Sequence, residues 1–145
     1  MKIDSHRINC HKIAEGQAEG EVLISQDDIC FYLVNPEDGV VIEKDHSLEG
    51  QSIAGKVLIF PSGKGSSVVQ ADGLYQLAMQ GTGPSAMIIE YPETVLVASA
   101  IIMEVPLVDK VDRFFYEQVR DGDRIELNAD EGYIRFLNSS SIANN

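Results

Sequence analysis

Seven consecutive residues, Pro61-Ser62-Gly63-Lys64-Gly65-Ser66-Ser67, hold the chain's best-defined chemical possibilities. They follow the apolar run Val57-Leu58-Ile59-Phe60. They precede a segment in which Ala71, Leu74, Leu77 and Ala78 recur at three- and four-residue spacing, so a glycine-rich turn joins a buried strand to a helix over 67–80. In an open α/β arrangement that junction, beyond the carboxyl end of a strand, is where ligands bind. Glycine lets the backbone approach a ligand closely, the first N–H groups of a helix favour negative oxygens, and Lys64 adds a full positive charge. The group expected there is a carboxylate or a phosphate, held by Ser62, Gly63, Lys64, Gly65 and Ser67. The spacing is not Gly-x-x-x-x-Gly-Lys-[Ser/Thr], so ATP hydrolysis is not supported. Nor is it a Gly-x-Ser-x-Gly elbow, because serine and glycine alternate the other way round. A serine-capped turn with no ligand is the competing reading, since Gly-Ser clusters usually mark loops.

Other candidates carry less. Asp130-Glu131-Gly132 sets two carboxylates beside a glycine, and a polar β-turn explains them more simply than acid–base work or cation binding. Glu19 and Glu21 share one face of a strand, which is expected to be solvated or to meet a partner. His46 lies in a polar stretch and is expected to be exposed. Cys10-His11 near His6 invites a metal, but adjacent residues of a strand point to opposite faces.

The elements that must position the loop are legible in outline. Residues 8–13, 22–24 and 29–34 are spaced like strands, and Asn35-Pro36-Glu37-Asp38-Gly39 is a hairpin-type turn before Val40-Val41-Ile42. Residues 44–55 read as a loop. After the helix over 67–80, Gly81 and Gly83-Pro84 break the chain. Strand 86–89, an apolar helix over 93–103 and strand 105–108 then complete a βαβαβ unit, hence a parallel sheet. Asp112 is an expected N-cap of a short helix with Phe114, Phe115 and Val119 facing inward, followed by strands 124–127 and 133–136. Residues 1–7 and 138–145 are expected to be frayed. The fold class is mixed α/β, with a β-rich N-terminal half and one domain over residues 1–145.

Composition narrows the function. With 11 lysines and arginines against 23 acidic residues the formal charge is −12, which opposes nucleic acid and anionic membranes as partners. The apolar stretch Val95 to Met103 is far shorter than the roughly 20 residues of a membrane span. Residues 1–13 contain no apolar h-region, which with two distant cysteines points to the cytoplasm. Cys10 and Cys30 cannot by themselves hold a four-cysteine iron–sulfur cluster or zinc site, so no metal is expected on this chain.

Four ordered segments, Gly16-Gln17-Ala18-Glu19-Gly20-Glu21, Leu48-Glu49-Gly50-Gln51-Ser52-Ile53-Ala54-Gly55-Lys56, Pro61-Ser62-Gly63-Lys64-Gly65-Ser66 and Asn128-Ala129-Asp130-Glu131-Gly132, resemble the small subunits or swivel domains of the aconitase X family over nearly the whole chain. The resemblance implies a swivelling β/β/α domain in a two-part hydro-lyase. The large subunit would carry an iron–sulfur cluster, and the small one a serine base, which by position in the loop is Ser66. It implies dehydration of a small anionic hydroxy acid, with (R)-5-phosphomevalonate preferred and cis-3-hydroxy-L-proline the alternative. In that scheme a Lewis acid polarises the departing hydroxyl while the serine removes a proton from the neighbouring carbon. The chain departs from the family at Phe31-Tyr32-Leu33-Val34-Asn35, where a glycine pair is common, and at Val68-Val69-Gln70-Ala71, where a Gly-Ser step is common. A non-catalytic binding or scaffold domain with the same fold is the reading from another class.

Overall fold

The computed structural model describes residues 6–137; the expected fraying of residues 1–5 and 138–145 lies outside the described residues. Strands β1 (Ile8–Asn9), β2 (His11–Ala14) and β3 (Gln17–Ile24) come first, followed by a long irregular segment. Next are β4 (Val57–Phe60), α1 (Ser67–Gln80), β5 (Ala86–Ile89), α2 (Thr94–Met103) and β6 (Leu107–Asp109). The chain closes with α3 (Arg113–Gln118), β7 (Arg124–Asn128) and β8 (Tyr133–Phe136). The eight strands form one mixed sheet in the order β1-β8-β7-β3-β4-β5-β6-β2. Neighbours from β3 to β6 run parallel and all other pairs antiparallel.

The two end strands of that order, β1 and β2, are separated in the chain by Cys10 alone. Because consecutive Cα atoms are only about 3.8 Å apart, the sheet must curl until its edges meet. Cys10 N–H donates to Gly132 O at 3.0 Å and seals the seam. Curling gives the sheet an inside and an outside, and the two-residue period sorts the side chains between them. Val22, Val57, Ile59, Ala86, Ile88 and Val108 point inward to one apolar cluster, which Phe115 of α3 plugs. Their chain neighbours Leu23, Leu58, Phe60, Met87, Ile89 and Leu107 point outward to a second cluster, covered by Leu74 and Leu77 of α1 and Leu96 and Ala100 of α2. Strands buried on both faces explain the unbroken apolar runs at 57–60 and 86–89.

Several expectations need correction. The segment 29–34 is not a strand: Ile29 bridges Gly63, Phe31–Leu33 is a 3-10 turn, and Val34 bridges Val41. Both edges of β3 are already taken by β7 and β4, so no sheet edge is open to this segment. It lies instead across α1, with Phe31 edge-on to Phe60 at 5.8 Å between ring centroids. Gly73 permits this contact, because a Cβ there would run into the backbone at Phe31 and Tyr32. The hairpin turn forms as expected, with Asn35 N–H donating to Val40 O at 2.8 Å.

Residues 8–13 make two strands at opposite ends of the sheet order rather than one. β6 starts two residues late, because Glu104 at φ 60° terminates α2 and Val105 N–H still donates to Ala100 O. In α3 only Phe115 is fully inward; Phe114, one helical step round, is 45% exposed. His46 is buried rather than exposed, donating from Nε2 to Asp28 O at 2.9 Å while Nδ1 accepts from Leu48 N–H at 2.9 Å.

Candidate functional site

The glycine-rich turn leaves β4 at the carboxyl end of the parallel strands and enters α1 at Ser67. Most of its polar groups are consumed in holding it still. Pro61 O accepts from the N–H groups of both Glu90 and Tyr91 at 3.0 Å. Ser62 O accepts from Ile29 N–H and Lys64 N–H donates to Ile29 O, each at 3.0 Å, so the 29–34 segment braces the loop from outside. Ser62 is buried, its Oγ donating to Tyr91 O at 2.6 Å. Gly63 is buried against Gln70 and Leu96, and Gly65, at φ 111°, adopts a conformation that an L side chain strains to reach.

Beyond Gly65 the character changes. Ser66 and Ser67 are exposed, and Ser66, the N-cap by position, makes no side-chain capping bond. The first turn of α1 leaves the N–H groups of Ser67, Val68 and Val69 without intrahelical partners. Two exposed serines and the first N–H groups of the helix therefore lie together at the positive end of a 14-residue helix. That arrangement can accept an anionic oxygen and can lower the cost of ionising a hydroxyl held among the donors.

The structure thus groups Gly65, Ser66 and Ser67 at the exposed end of the loop and puts Ser62 and Gly63 beneath it, in the bracing. Lys64 stands between the two groups, its Nζ on Glu43 Oε2 at 2.6 Å. That hydrogen bond raises the lysine above its ordinary pKa, so it stays charged with Glu43 as its carboxylate partner. The sequence reading does not assign Glu43, Gln70, Glu93 and Cys30 to the site, although Gln70 falls within a departure from the family and Cys30 is one of two distant cysteines. Gln70 and Glu93 meet through a 3.1 Å hydrogen bond across 23 residues, a contact no local pattern signals. Glu93 does carry a local signal, an acidic N-cap: its carboxylate accepts from Val95 and Leu96 N–H at 3.1 and 3.0 Å.

The remaining candidates serve the fold. Asp130 Oδ1 accepts from Gly16 N–H at 2.9 Å and Glu131 meets Arg7 at 3.8 Å. Glu21 pairs with Lys56 at 2.6 Å, which lowers its pKa chiefly through that hydrogen bond. His11 Nδ1 donates to the buried Asp109 at 2.7 Å. An iron–sulfur cluster does not fit this donor set. Cys30 is buried under Gly65, Cys10 is pushed up to about 11, first by burial and then by Asp109, and among the described residues no three His, Cys, Asp or Glu side chains gather. No described helix is long and apolar enough to cross a membrane.

A curled mixed sheet with helices on its parallel half and an exposed serine-bearing turn at the strands' carboxyl end defines a mixed α/β domain. The family model of the aconitase X swivel domain matches residues 7–136, and the chain belongs to that family. The chain is 48% identical to the phosphomevalonate dehydratase small subunit of Methanosarcina acetivorans over 126 residues, 86% of this chain and 87% of that one. Against the protein of the same name from Archaeoglobus fulgidus it is 38% identical over 128 residues, 88% of this chain and 96% of the other. A crystal structure of holo aconitase X from Thermococcus kodakaraensis superposes with a TM-score of 0.82 at 38% identity, covering 91% of this chain and 98% of that one.

Proposed function

We propose that this chain is the small subunit of a phosphomevalonate dehydratase, active with a large subunit, and that Ser66 is its proton-abstracting base. The observation that carries the reading is Ser66 itself: an exposed serine at the start of α1 whose hydroxyl caps nothing, in a chain 48% identical to a dehydratase small subunit. An aliphatic hydroxyl is far too weak an acid to ionise in water near neutrality. The orphan N–H groups and the helix dipole favour its alkoxide, which is the form that can take a proton from carbon.

Ser66 Oγ removes a proton from the carbon beside the one bearing the hydroxyl. The C–H electron pair becomes the new C=C bond, the C–O bond breaks, and the hydroxide departs as water by taking up the proton that Ser66 gave up on ionising, so that one H2O is lost with no net proton. In this reading the group that draws off the hydroxide is supplied by the large subunit. Lys64 and the N–H groups of Gly65 and Ser67 grip the substrate's anionic group, which relieves the approach of an anion to a chain of charge −12.

The test is anaerobic co-expression with a candidate large subunit, purification by a tag on this chain, and assay of water loss from (R)-5-phosphomevalonate. A co-purifying pair that forms trans-anhydromevalonate 5-phosphate supports the reading. A stable pair that leaves phosphomevalonate untouched contradicts it, and the same preparation then serves to try cis-3-hydroxy-L-proline.

A further inference from the structure

Gln70 lies in the first turn of α1, is 3% exposed, and uses its backbone and side chain on two successive peptides of the loop. Its N–H donates to Ser66 O at 2.9 Å, and its Nε2 donates to Gly65 O at 3.0 Å and to Glu93 Oε1 at 3.1 Å. Two acceptors on one side of the amide settle which end is nitrogen. Oε1 is thereby forced the other way, against Gly63, where it is buried with no partner; a Cβ on Gly63 would sit 2.5 Å from it. Native proteins rarely leave a buried acceptor empty, so an amide that does so is held for what its other end does.

What that end does follows from peptide geometry. In a planar trans peptide the C=O and N–H point in opposite directions. Drawing Gly65 O inward to Gln70 turns the Ser66 N–H outward. Drawing Ser66 O inward turns the Ser67 N–H outward. Gly65 has the backbone freedom for this peptide to flip, and a flip would aim a carbonyl at the site where an anion must bind. Glu93, fixed at the N-terminus of α2, holds the amide against such a flip.

We propose that Gln70, braced by Glu93, is the positioning residue that fixes the Gly65–Ser66 peptide with its N–H outward, so that the Ser66 hydroxyl ionises within the donor cradle. This rests on the reading of Ser66 as the base. Gln70 touches no substrate and acts through the loop backbone.

Two variants test it in the reconstituted complex. Gln70→Met keeps the volume and removes the donor. The expected result is a fall in kcat of at least about tenfold with KM changed little, and a rising limb of the pH–rate profile displaced upward by about one unit, because the alkoxide has lost a donor. The exchange Gln70→Glu with Glu93→Gln restores a hydrogen bond between the two side chains but leaves Gly65 O facing a carboxylate. It is expected to assemble with the large subunit and not to recover kcat, and it carries the test alone should Gln70→Met not fold. An unmoved pH limb in Gln70→Met, or full turnover in the exchange variant, overturns the proposal. Ser66→Ala run beside them separates the causes. An inactive Ser66→Ala with an unmoved limb in Gln70→Met sinks the positioning role alone, whereas an active Ser66→Ala sinks the base and this inference together.

Discussion

Two turns of this chain share an ingredient list and differ in how their polar groups are used. In the turn after β7, Asn128 Oδ1 accepts from Glu131 N–H at 3.0 Å, Asp130 Oδ1 from Gly16 N–H at 2.9 Å, and Gly132 O from Cys10 N–H at 3.0 Å. Its polar groups are spent on holding the turn and its neighbours, with Gly132 O closing the seam between the sheet's edges. In the turn after β4 the same economy holds only as far as Gly65; from Ser66 onward the hydroxyls and N–H groups are left over. A fold that satisfies its own polar groups nearly everywhere exposes chemistry where it does not. Polar residues beside a glycine therefore do not identify a site until their partners have been accounted for.

Matched substitutions sharpen the contrast. Among changes that leave Ser66 in place, the largest effect is expected from Gly65→Ala, which strains a backbone at φ 111° and drives a Cβ to 3.1 Å from Cys30 Sγ. Turnover of the reconstituted pair should fall by about 10²-fold, the loss typical of one misdirected oxyanion donor, when kcat is compared at equal complex concentration. In the β7 turn the reverse holds. Asn128→Ala strips a buried acceptor and should cost about 1–3 kcal/mol in urea unfolding of the isolated chain, with turnover per folded complex unchanged. If Asn128→Ala cut kcat, the division between the two turns would be wrong.

Lys64→Met is expected to raise KM several-fold with little change in kcat, because it removes a charge from the substrate's path rather than from the proton transfer. Its effect on stability should stay below about 1 kcal/mol, as for other half-exposed ion pairs. The smallest effect is on pH. Cys10, on the seam side, is raised from 9.0 to about 11 and Tyr116 from 10.0 to about 12, both mainly by burial. The folded chain keeps these protons where the unfolded chain has lost them. Stability is therefore complete below about pH 9 and drains away as pH rises through about 11 and then 12. Urea midpoints measured across that range should fall, and Cys10→Ala should remove the earlier part of the fall.

The core of the fold was legible because its signals are local. Val57–Phe60 and Ala86–Ile89 are continuous apolar runs, α1 carries its helical spacing, and Gly81, at φ 73°, terminates α1 where the sequence breaks. The segment 29–34 was not, since its apolar, strand-like composition says nothing about whether a sheet edge is free to receive it. The first half of β3, Gln17 to Glu21, was hinted at only by the alternation of Glu19 and Glu21, because it is set by pairing with β7 and carries no apolar alternation. At the site, the glycine turn and its serines stood out as residue types at the junction of a strand and a helix. The braces did not, because Glu43 reaches Lys64 across 21 residues and Glu93 reaches Gln70 across 23, while Gln70 bonds Gly65 O through a side chain that no spacing marks. His46 shows the same limit, a polar residue in a polar stretch that the fold buries by giving both ring nitrogens a backbone partner.

The most direct measurement is the turnover of phosphomevalonate by the reconstituted pair carrying Ser66→Ala, with complex formation and melting temperature recorded on the same preparation. Loss of turnover by about 10²- to 10⁴-fold, the range for removing a general base, in a pair that assembles and melts like the unaltered one is the predicted result. A fully assembled Ser66→Ala pair that still forms the dehydrated product at the original rate would contradict it.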